Sequence, residues 1–104
     1  MTIETRKWDA SEFLDSEETV FAYIEAAFED GDPAVITHAI GNVARARGMT
    51  SIAREAGVTR EALYKALSET GDPRLSTLMG VMKALGMRLT AEPNESHTET
   101  RLSA

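Results

Sequence analysis

Residues 49–68 read MTSIAREAGVTREALYKALS, and their spacing decides the fold. Ile52, Ala56, Val58, Leu63 and Ala66 are apolar at the offsets that bury one short helix against another across a tight turn, and Ala53 is small where the helices approach. Gly57 stands at the turn, where a residue without Cβ accepts positive φ, and Thr59 beyond it offers a hydroxyl to cap the next helix. The spacing predicts helices over Thr50–Ala56 and Arg60–Ser68 in a helix-turn-helix, the arrangement that places a second helix in the DNA major groove.

Once the apolar set is removed, Thr59, Arg60, Glu61, Tyr64, Lys65 and Ser68 remain on one face of the second helix. Arg60 and Lys65 can bond guanine edges or phosphates, and Thr59 and Ser68 can bond either. Tyr64 offers a ring to thymine methyls and a phenol to phosphate. Thr50 begins the first helix, whose free amides and dipole favour an anion there, and Arg54 and Arg74 flank it. A bland reading stands beside this one, because helix pairs of this kind also occur in ordinary bundles and any surface helix shows an Arg, Glu and Lys face.

Upstream, Ser16 followed by Glu17, Glu18 and Thr19 is an N-cap with two anions in the first turn. Val20, Ile24, Ala27 and Phe28, with Phe21 and Tyr23 alongside, continue a helical period to Gly31. Asp32 and Pro33 restart a helix that carries Ile36, Ala39, Ile40 and Val43 on one face and stops at Gly48. Gly41 within it marks close helix contact rather than a break, since glycine there costs about 1 kcal/mol relative to alanine. Downstream, Leu75–Leu85 forms a further helix, and Met87, Leu89 and Ala91 alternate with Arg88 and Thr90 as a short strand. That strand needs a partner, either the segment around Trp8 or its own copy in a second subunit. The fold class expected is thus all-α, about five helices with one short C-terminal β-strand. Residues 1–15 form an acidic arm, 16–91 the domain, and 92–104 a polar, disordered tail.

The chain has 104 residues, 42% hydrophobic and 27% charged, which suits one modest core. Cysteine is absent, and His38 and His97 lie far apart, so a thiolate or histidine metal site is not expected, nor any cofactor. His38 reads as a surface or partly buried helix residue and His97 as a tail residue. Met49, Met79, Met82 and Met87 read as core filler. No set of nucleophile, base and orienting group suggests an enzyme. No apolar run approaches the roughly 20 residues of a membrane span, and no signal core opens the chain, so a soluble cytoplasmic protein is expected.

Net charge is −6, but its layout is uneven. Residues 1–32 hold ten acids against Arg6 and Lys7, whereas residues 33–91 hold eight bases against four acids. An acidic arm therefore precedes a basic middle, as in a chain with one cationic and one anionic partner, although solvated helix faces give the same counts.

The stretch from Met49 to Thr90 resembles the small helix-turn-helix antidote proteins encoded beside a toxin, the addiction-module antidotes of the Xre/lambda-repressor-like class. The likeness covers about residues 7–93 through KWDASEFL, GDPAVITHAIGNVARARGM, REALYKALS and KALGMRL in that order. It departs from the family pattern at Asp72, where asparagine usually precedes the proline, and this sets an extra negative charge near DNA. The resemblance implies a lambda-repressor-like bundle and a dimeric repressor that binds double-stranded operator DNA, regulates its own operon and holds a RelE/ParE-like toxin inactive. Such a toxin is expected to be basic, so Trp8, Asp9, Glu12, Phe13 and Asp15 of the arm are the candidate toxin-binding residues. The Met87–Ala91 edge is the candidate homodimer interface. The alternative is a protein-binding module that keeps the helix-turn-helix only as scaffold.

Overall fold

The computed structural model describes residues 16–94. Five helices follow one another: α1 Glu17–Asp30, α2 Pro33–Arg47, α3 Met49–Ala56, α4 Arg60–Ala66 and α5 Leu75–Ala84. Their boundaries have local causes. Ser16 Oγ accepts from the Thr19 amide at 3.2 Å, and Asp32 Oδ1 accepts from the Ala34 amide at 2.9 Å with Pro33 in the first turn. Each cap satisfies an amide that the helix itself leaves unpaired. A single residue, Gly48, separates α2 from α3.

One core joins the helices. Val20 and Ile24 of α1, Ile40 and Val43 of α2, Ile52 of α3, Leu63 of α4 and Val81 and Met82 of α5 are buried together. Among the described residues no polar or charged side chain is buried. The helices pack α1 on α2, α2 on α3, and α3 on both α4 and α5. Gly41 supports a close approach, since a Cβ there would lie 3.0 Å from the Leu67 carbonyl oxygen. Gly80 does the same for α5 on α3, where a Cβ would come within 3.1 Å of the Cα and carbonyl oxygen of Ala56.

Three expectations are corrected. No strand forms among the described residues: Met87–Ala91 is outside any ladder. Met87 and Leu89 pack against the core while Arg88 and Thr90 are exposed, so the period of two reports alternate burial on helices. The segment leaves α5 through the turn at Gly86, φ +82°, where the Met87 amide donates to the Met82 carbonyl at 2.8 Å. Secondly, Met79 is 51% exposed on the outer side of α5, while Met49 and Met82 are in the core and Met87 packs against it. Thirdly, α4 ends at Ala66, before Ser68. The arm residues Trp8, Asp9, Glu12, Phe13 and Asp15 lie outside the described residues, as do His97 and the tail from residue 95 onward.

Candidate nucleic-acid interface

The pair α3–α4 is built around its turn. Gly57 has φ +79°, its amide donates to the Arg54 carbonyl at 3.2 Å, and the Val58 amide donates to the Ala53 carbonyl at 3.0 Å. These two bonds close α3 in a Schellman motif, which a left-handed glycine permits at little cost. Thr59 then caps α4, its Oγ1 accepting from the Ala62 amide at 3.0 Å. The chain turns within residues 57–59, and Leu63 and Leu67 are buried in the core with Ile52 and Ala53.

Burial of that side of α4 leaves the other side to solvent. Arg60, Glu61, Tyr64 and Lys65 are all exposed, as is Thr59 at the cap. The Arg60 guanidinium carbon lies 5.3 Å from the centroid of the Tyr64 ring, and Nη2 donates to the phenol oxygen at 3.5 Å. Residues four apart on a helix are neighbours, so Glu61 and Lys65 form a second column beside Arg60 and Tyr64. The outcome is a polar strip that combines a planar guanidinium fork, an aromatic face, an ammonium and a carboxylate. Such groups bond base edges and phosphates.

The other sequence-predicted residues are distributed around this strip. Thr50 and Arg54 are exposed on α3, four residues apart. The N-cap of α3 is Gly48, which supplies no side-chain bond to the first amides of the helix. Arg74 is exposed at the N-cap of α5. Ser68 differs from its expected role. It is partly buried beyond the last turn of α4, and its hydroxyl donates back to the Lys65 carbonyl at 2.9 Å.

Two features were not read from the sequence. Ala62 is exposed in the middle of α4, a methyl group of the kind that meets thymine methyls, and its absence from the apolar offsets was the available signal. A chain of hydrogen bonds also ties α1 to α2: Asn42 Nδ2 donates to Tyr23 Oη at 2.8 Å, and Arg45 Nη2 donates to Asn42 Oδ1 at 2.9 Å. The partly buried phenol of Tyr23 needs such a partner, but nothing in the helical period says which residue supplies it.

Charge over this region is balanced. Between Met49 and Arg74 the bases Arg54, Arg60, Lys65 and Arg74 are matched in number by Glu55, Glu61, Glu69 and Asp72. The excess positive charge of the middle of the chain therefore resides on Arg45, Arg47, Lys83 and Arg88. Among the described residues no cluster of three or more histidine and carboxylate groups could hold a metal ion, and no helix is long and apolar enough to cross a membrane.

Comparison with known proteins places the chain. A family model described as a probable addiction module antidote protein matches residues 4–93. An uncharacterized protein of Haemophilus influenzae is 44% identical over 92 residues, which span 88% of this chain and 95% of the relative. No solved structure matches the chain. With a match running from residue 4 through all five helices, the chain belongs to the family of probable addiction module antidote proteins.

Proposed function

We propose that this chain is the antidote of a toxin encoded beside it and also a dimeric, DNA-binding repressor of their shared operon, acting in the cytoplasm. In this reading residues 16–91 are a lambda-repressor-like helix-turn-helix domain, α4 is the recognition helix, and residues 1–15 form an arm that meets a basic RelE/ParE-like toxin through Trp8, Asp9, Glu12, Phe13 and Asp15. The single observation that carries the DNA reading is the outer strip of α4, where Arg60 is stacked on Tyr64 and Thr59 holds the helix start, above a fully apolar inner face. Thr59, Arg60, Glu61, Tyr64 and Lys65 would meet base edges and backbone, while Thr50, Arg54 and Arg74 would meet phosphates. The reading assigns no catalytic step and no cofactor.

The charge balance from Met49 to Arg74 favours a second reading, in which the helix pair is a scaffold and only protein partners are bound. A mobility shift with duplex DNA from the chain's own promoter separates the two. DNA binding requires log K to fall linearly with log salt, because neutralised phosphates release counterions. Absence of any shift at low salt leaves the scaffold reading.

A further inference from the structure

We propose that the groove between α1 and the extended segment that follows α5 is a docking site for a cationic, amphipathic segment of a protein partner; this rests on the antidote reading, in which that partner is the toxin. The groove is open, with a volume of about 560 Å³. Its floor includes Phe28, Met87 and Leu89, which pack against the core on one side and remain partly exposed on the other. Its rim carries the carboxylates of Glu25, Glu29 and Glu92 against the single guanidinium of Arg88.

The acids on this rim are placed against the interest of their own helix. Glu25 and Glu29 are one turn apart, a like-charge spacing that weakens a helix by a few tenths of a kcal/mol. Glu29 and Asp30 also end α1, where the helix dipole favours cations, and the last turn of α1 holds no base. A cationic segment laid in the groove relieves both repulsions and covers the apolar floor.

The other occupants fit less well. Residues 1–15 hold four acids against two bases, so the chain's own arm would meet a rim of the same sign. A second copy would bring a second acidic rim to the first. The groove shares no residue with α3 or α4, so filling it leaves the strip of Arg60, Tyr64 and Lys65 free. Partner and DNA can then be held at once.

The test uses the full chain and, as probe, the purified protein encoded in the adjacent reading frame. The chain lacks cysteine, so Thr90→Cys gives one attachment point for a fluorophore at the rim. The expected result is a fluorescence change on adding the probe, and a loss of affinity of about ten-fold or more in Glu25→Lys/Glu29→Lys at low salt, shrinking as salt rises. Both positions are exposed, so circular dichroism and the promoter mobility shift should match the parent. A complex with the parent that survives the double charge reversal within two-fold overturns the groove and spares the antidote reading. Failure of the probe to bind the parent removes the antidote reading and the groove proposal with it. A label that responds to removal of residues 1–15 instead of to the probe assigns the groove to the arm, and charge reversal that changes only the sedimenting mass assigns it to a second copy; either overturns the proposal.

Discussion

Arg60 lies over the ring of Tyr64, its guanidinium carbon 5.3 Å from the ring centroid, so that one exposed side chain of α4 holds the other along the helix. A stack at an exposed site is worth about 0.5–1 kcal/mol, and the 3.5 Å bond to the phenol is too long to add much. Its effect is to reduce the number of positions from which the guanidinium fork approaches a ligand. Tyr64 thus positions Arg60 and, at 41% exposure, is also available for contact itself.

Arg60→Ala and Lys65→Ala are each expected to weaken binding to promoter duplex by about 1–3 kcal/mol where the contact is to a base edge. Thermal unfolding should stay close to that of the parent, since both side chains are exposed. Mobility shifts paired with melting curves check this, and parental DNA binding by the double variant would place recognition elsewhere.

Tyr64→Phe keeps the ring and should bind DNA nearly as the parent does, whereas Tyr64→Leu should lose affinity through Arg60. In a double-mutant cycle, Tyr64→Leu should cost less in the Arg60→Ala background than in the parent. Strict additivity would show that the stack plays no part in binding.

Balanced charge around α4 limits the electrostatic term. With Arg60 and Lys65 of the strip and Arg54 and Arg74 around it as the cations, the slope of log K against log salt should be no steeper than about −4 per protomer. A titration between low and moderate salt measures it. A markedly steeper slope would bring Arg45, Arg47, Lys83 or Arg88 into the DNA contact.

Gly80→Val is expected to destabilise the fold by about 1–3 kcal/mol, because its Cβ would press on the Ala56 backbone, which cannot rotate away. For a domain of this size that is a fall in melting temperature of several degrees per kcal/mol. Calorimetry reads it directly, and an unchanged midpoint would mean that α5 shifts freely on α3.

Thr59→Ala should cost about 1 kcal/mol through the lost cap, and Thr59→Ser should restore most of it. Urea unfolding distinguishes the pair. Equal stability of Thr59→Ala and the parent would show that the bond from the Ala62 amide is replaced by water without penalty.

The helix ends were the most legible part of the sequence. Ser16, Gly31, the pair Asp32 and Pro33, Gly48, Gly57 and Thr59 each act within one turn, and each stands at the boundary its chemistry implies. The exposed strip of α4 was legible for the same reason, being what remains when Leu63 and its neighbours are assigned to the core. Relations across the fold were less so. The alternation of Met87 and Leu89 with Arg88 and Thr90 describes which side is buried, and it is the same for a strand in a sheet and for an extended segment lying on helices. The contact of Gly80 with Ala56 and the bond between Asn42 and Tyr23 join residues far apart in sequence, so no local period could announce them.

Because Val20 and Ile24 of α1 share one core with Leu63 of α4 and with Val81 and Met82 of α5, the ends of the described fold have no separate stability to fall back on. Unfolding should then be all-or-none, as it is for most small domains. A cellular protease that pulls on either end would destroy the polar strip of α4 and the acidic groove in the same event. On the proposed function, the lifetime of this one fold would set a common clock, so that renewed transcription of the operon and release of the toxin start together.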